Sequence, residues 1–112
     1  MVRHDMRSTM TAVLERNTVV REDFATEPYE LPWASEARFF VQALEADGVL
    51  EFHTEISPDG LHWCPLEDTA HHIDSPGLIT WPVTGFGQWL RVRCSVAPGA
   101  AAKLRIYLVG KG

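Results

Sequence analysis

From about residue 36 onward, apolar and polar positions take turns along the chain. In Gln88–Ala97 (QWLRVRCSVA), Leu90, Val92, Cys94 and Val96 fall on one side, and Trp89, Arg91, Arg93 and Ser95 on the other. A repeat of two is the mark of a pleated strand with one buried face. Lys103–Val109 repeats it, with Leu104, Ile106 and Leu108 inward and Lys103, Arg105 and Tyr107 outward. The intervening APGAA, residues 97–101, reads as a hairpin loop joining the two. Val49–Ser57 alternates as well, setting Leu50, Phe52, Thr54 and Ile56 against Glu51, His53 and Glu55. Ala37–Ala46 is expected to be its hairpin partner through the turn Ala46-Asp47-Gly48. Phe39, Val41 and Ala43 then face the core, while Phe40 and Leu44 lie on the opposite face, which needs cover of its own. Ala, Leu and Glu make a helix the rival over 35–46, but the alternation favours a strand.

Shorter elements fill the rest. Trp63–Leu66 is expected as a strand after the turn Ser57-Pro58-Asp59-Gly60. Leu78–Val83 (LITWPV) reads as an edge strand, because Pro82 has no N–H to give a ladder. Met10–Arg21 reads as a strand from Thr18, Val19 and Val20, with one helical turn over Ala12–Arg16 as the alternative. Residues 22–34, with Pro28 and Pro32, and residues 67–77 (EDTAHHIDSPG) read as long loops, and residues 1–10 as a polar N-terminal arm. Seven to eight short strands punctuated by Gly and Pro predict an all-β chain, a single antiparallel β-sandwich of jelly-roll type occupying residues 1–112. The lack of βαβ alternation and of a Gly-rich phosphate loop argues against a nucleotide-binding α/β fold.

Composition narrows the partners. The net charge is −5, which disfavours nucleic acid and anionic membranes. No run of about 18 apolar residues is present to span a bilayer, and Met1–Met10 has no apolar signal core. The chain is expected to be cytoplasmic. Its charge is uneven: net −3 over residues 1–36, −6 over 37–69 and +4 over 70–112. Opposite charges of this kind pair across strands, or form a polar interface between copies of the protein.

One stretch carries a resemblance. Ser57-Pro58-Asp59-Gly60-Leu61-His62-Trp63 has the form S-x-D-G-x-x-W and is followed by Trp89-Leu90-Arg91-Val92-Arg93. Together they resemble a turn-and-strand signature of discoidin-like and galactose-binding-like β-sandwiches. A similar turn occurs in small β-sandwich proteins of phage tails and bacterial assemblies. In such a turn Asp accepts backbone N–H bonds, Gly supplies a positive φ, and Trp is expected to cap the core. The resemblance implies a sandwich and does not carry sugar binding with it.

Several constellations bear on chemistry. His62 and Cys64 share a strand face two residues apart, and with His71 or His72 they could hold zinc. Cys64 and Cys94 are better read as packed residues than as nucleophiles, although a bridge between sheets is a further possibility for the pair. Glu51 and Glu55 are about 13 Å apart on a strand, too far for a glycosidase pair, and arginines are their simpler partners. Four Trp in 112 residues exceed what a small core needs, and Trp, Tyr and Arg dominate binding hot spots.

These features point to a non-enzymatic protein, needing no cofactor, that works by assembly. One outer sheet face bearing Phe40, Leu44, Trp89, Arg91, Arg93, Arg105 and Tyr107 is expected to pack against identical copies, a trimer being one closed form, or against a larger protein assembly. The alternative is a carbohydrate-binding module using the loop aromatics Trp33, Trp81 and Phe86. The third reading is a small metal protein or enzyme built on His62, Cys64, His71 and His72.

Overall fold

The computed structural model describes residues 8–112, so most of the expected N-terminal arm lies outside the described residues. Ten strands follow in order: β1 (Thr9–Val20), β2 (Phe24–Ala25), β3 (Tyr29–Glu30), β4 (Glu36–Asp47), β5 (Leu50–Ser57), β6 (Cys64–Pro65), β7 (His71–Ile73), β8 (Gly77–Val83), β9 (Trp89–Val96) and β10 (Ala101–Lys111). Thr9 and Met10 thus belong to the first strand rather than to an arm. The first sheet has the order β1-β10-β4-β8. The second has the order β2-β9-β5-β6, with β3 also on β9 and β7 also on β5. Taking β2 with β3 and β6 with β7 as interrupted edges, each sheet has four antiparallel columns. The chain changes sheet at every connection outside the run β5–β6–β7 and the run β2–β3. That path is the jelly roll, and it agrees with the fold expected from the strand pattern.

The side-chain faces follow the alternation. Phe39, Val41, Leu50, Phe52, Leu90, Val92, Cys94, Leu104, Ile106 and Leu108 are all fully buried between the sheets. Each such aliphatic or aromatic side chain contributes about 1.5–3 kcal/mol by leaving water. Burial, and then the charge of Asp23, push the Cys94 thiol up to about 12, so it behaves as a small core residue.

Strand partners are a different matter. Neither expected hairpin exists. β4 and β5 belong to different sheets, and so do β9 and β10. Residues 48–49 and 97–100 are arches that carry the chain over the end of the core. A hairpin and an arch both preserve a repeat of two, so alternation fixes which face is buried and not which strand is bonded. The arches clasp each other. Ala97 N–H donates to Val49 O at 3.0 Å, and Gly48, at φ 85°, packs so close that a Cβ there would lie 2.7 Å from the Ala100 Cβ.

The two expected loops also hold structure. Leu31 is fully buried and its N–H reaches Gln88 O at 2.7 Å. Thr26 takes a strand's place against β9: its N–H donates to Val92 O at 2.9 Å, and its hydroxyl accepts the Val92 N–H at 3.0 Å. Ile73 of β7 is buried too. Strands of two or three residues are too short to display a period. β8 lies at the sheet edge, as Pro82 requires.

Candidate interaction surface

The outer face of the first sheet is built by register. Val13 of β1, Tyr107 of β10, Phe40 of β4 and Thr80 of β8 stand directly opposite one another in one row across all four strands. The adjoining row is Thr11, Val109, Arg38 and Pro82. Among the described residues, no strand covers these rows. Val13 is 43% exposed, Leu78 on the edge strand is 60% exposed, and Phe40, Tyr107 and Val109 are half-buried. A shallow cleft of about 240 Å³ opens here, lined by Phe40, Arg38, Pro82, Val109 and Lys111 among others. The two arginines of this face find neutral partners: Arg38 donates to Thr80 Oγ1 at 3.1 Å and Arg105 to Asn17 Oδ1 at 2.6 Å. Among the described residues, no ion pair engages Lys103, Lys111, Glu36 or Glu45.

The outer face of the second sheet is arranged otherwise. Glu55, only 8% exposed, receives Arg91 Nε on one oxygen at 2.7 Å and Arg93 Nε on the other at 3.2 Å. The Arg91 guanidinium lies 4.3 Å from the Trp63 ring centroid, a cation–π contact. The acidic middle and basic end of the chain therefore do pair across one sheet. Trp89 packs beside the Ser57–Gly60 turn, where a Cβ on Gly60 would meet its ring at 3.3 Å. In that turn Asp59 Oδ1 accepts the N–H groups of Leu61 and His62 at 2.8 and 2.9 Å. The His62 N–H, the His62 ring and the Leu61 N–H hold the Asp59 carboxyl well below the usual carboxylate range. Asp and Gly of the S-x-D-G-x-x-W turn act as expected, and Trp63 does not: it covers Arg91 on the outer face instead of capping the core.

The seven expected interface residues consequently do not share a face. Phe40, Leu44, Arg105 and Tyr107 belong to the first sheet, and Trp89, Arg91 and Arg93 to the second. Leu44 falls at the register shift opposite Lys103/Leu104, half-buried. The mistaken grouping follows from the false hairpins, which would have put these strands side by side.

The carbohydrate set breaks up as well. Trp81 and Phe86 are core residues, 2% and 4% exposed. Trp81 sits against Phe39 and Phe52, with ring centroids 5.7 and 6.4 Å away. Trp33 alone is open, at 43%, and its ring packs beside Gly112. The four metal candidates do not converge either: among the described residues no group of three His, Cys, Asp or Glu is placed to hold an ion. His62 Nδ1 lies 2.7 Å from Asp59, His72 is exposed on β7, Cys64 is exposed, and Cys64 and Cys94 are separate thiols.

His71 has a part that sequence reasoning missed. Its ring stacks on Trp81 at 4.2 Å and 6°, and its Nε2 lies 2.6 Å from Glu67 Oε1. Trp81 Nε1–H donates to Thr54 Oγ1 at 2.7 Å, and Thr54 Oγ1 lies 3.5 Å from the same Glu67 oxygen. This ring of contacts ties the 67–71 segment to both sheets. A Thr at an inward strand position is its one signal in the sequence.

No protein-family model matches the chain, and no curated protein does. Among solved structures, the crystal structure of the PBSX exported protein XepA matches 95% of this chain at a TM-score of 0.61 and 14% identity. The likeness is one of fold. This chain covers 37% of XepA's length. The crystal structure of PirA is matched over 100% of both chains, at a TM-score of 0.48 and 11% identity. No helix among the described residues is long and apolar enough to cross a membrane.

Proposed function

We propose that this protein is a non-enzymatic assembly protein that associates with copies of itself through the outer face of the β1-β10-β4-β8 sheet. One observation carries the reading: Val13, Tyr107 and Phe40 form a row across three strands that nothing covers among the described residues, ringed by charges that lack ionic partners among those residues. An apolar centre with a charged rim has the composition of an interface. Association by edges is disfavoured. β1 carries two register shifts and a positive φ at Asn17, β8 carries Pro82, and the second sheet's edges are broken into segments of two or three residues. All are devices that blunt edge pairing. Burial of the aromatic row supplies affinity, and the rim charges select the register. The cytosol is the compartment proposed, where an exposed Cys64 thiol stays reduced.

Light scattering coupled to size exclusion tests this. The protein is expected to run at a multiple of its 12.6 kDa. The double variant Phe40→Glu/Tyr107→Glu is expected to run as one copy with its β-rich circular dichroism intact. A single-copy wild type at micromolar concentration overturns the reading.

A further inference from the structure

We infer that two copies pack these faces about a two-fold axis that runs along the strands, between β10 and β4. The inference rests on the self-association proposed above and adds its geometry. In the register of the sheet, Lys111 stands opposite Glu36, Tyr107 opposite Phe40 and Lys103 opposite Glu45. Outward basic residues thus occupy the β10 column, and outward acidic residues sit at the same heights in the β4 column. A two-fold axis along the strands exchanges the columns. β10 of one copy then lies over β4 of the other, so Lys111 meets the partner's Glu36, Lys103 the partner's Glu45, and Tyr107 the partner's Phe40. Each of these contacts occurs twice.

Other closed arrangements fare worse. A two-fold axis across the strands stacks β10 on β10, bringing Lys111 towards the partner's Lys103 and Glu36 towards the partner's Glu45. Such like-charge contacts select against that dimer. Stacking the first sheet on the partner's second sheet is heterologous and leads to open chains. It would also set the aromatic row against a face whose Glu55, Arg91 and Arg93 already satisfy one another. Packed sheets keep their strands within about 30°, and the long Lys and Glu side chains span the remaining offset. Arg105 faces the partner's Gln42, a neutral acceptor, because Arg105 and Gln42 are paired within the sheet.

The test is charge complementation between two variants of the full chain. An acidic variant carries Lys103→Glu/Lys111→Glu, and a basic variant carries Glu36→Lys/Glu45→Lys. In the dimer inferred here, each variant alone turns four attractive contacts into four repulsive ones. Each is expected to dimerise about a hundredfold more weakly than wild type. Mixing them in equal amounts restores all four contacts, and a heterodimer of wild-type affinity is expected by light scattering. Variants that stay monomeric when mixed overturn the axis. So do variants that dimerise alone as wild type does, even while Phe40→Glu/Tyr107→Glu still yields single copies and upholds the face. A wild-type mass above two copies also overturns the axis and leaves self-association standing. A single-copy wild type overturns both.

Discussion

The two outer faces of this sandwich are made of similar residues and do opposite things with them. Each carries two arginines and two large aromatic side chains. On the second sheet Glu55 sits between Arg91 and Arg93, and Trp63 lies over Arg91. On the first sheet Arg38 and Arg105 bond a hydroxyl and an amide, and Phe40 and Tyr107 have only Val13 and Thr80 beside them in their row. One nearly buried carboxylate is the difference. It turns a set of binding-type residues into an internally satisfied surface, and its absence leaves the other set available. Composition alone does not tell the two faces apart; what the charges are already bonded to does.

The comparison can be broken at Glu55. Glu55→Ala leaves two half-buried guanidinium groups without their carboxylate. It should lower stability by about 2–3 kcal/mol. At about 4–8 °C per kcal/mol for a domain near this size, thermal melting followed by circular dichroism should register the loss, while the mass in solution stays as in wild type. If the melting point does not move, the second face is not held by its ion pairs. Phe40→Ala should do the reverse. It removes a half-exposed ring and a cross-strand contact with Tyr107, so the same melt should change by less than about 1 kcal/mol, while self-association weakens. The smallest effect concerns Asp59. Its carboxyl is depressed in the folded chain, so it contributes stability above the ordinary Asp value of about 4 and loses it as pH falls below that value. Wild type should therefore lose ground to Asp59→Asn on acidification below pH about 4, and the two should run parallel above about pH 6. Parallel behaviour across the whole range would show that the turn does not depend on the charge.

Faces were legible in the sequence and partners were not. The inward set Phe39, Val41, Leu50, Phe52, Leu90, Val92, Leu104, Ile106 and Leu108 follows from alternation, and all of them are buried. Pro82 marked its strand as an edge. What alternation lacks is any record of which strand lies beside which, since a chain arching over the core keeps the same period as one turning back along the sheet. The two mistaken hairpins moved Trp89, Arg91 and Arg93 onto the wrong face. Trp81 and Phe86 misled for a related reason: proximity to Pro and Gly suggested exposed loops, yet Trp81 lies within β8 and is buried, and Phe86, in the connection between β8 and β9, is buried too. Thr26, whose hydroxyl and N–H together substitute for a length of strand, left no periodic trace at all.

The pairing of β1 with β10 has a consequence in time. Thr9 is bonded in register to Lys111, and Gly112 N–H reaches Ser8 O at 2.9 Å; among the described residues β1 has no neighbour in its sheet except β10. At a synthesis rate of about 5–20 residues per second, the first strand waits several seconds for its mate. Until then its twelve residues are an unclaimed backbone ladder, and the bulges that blunt it in the finished sheet have not yet formed. β1 and β10 close this sheet like a clasp, and the yield in the cell should depend on what shelters β1 in the interval.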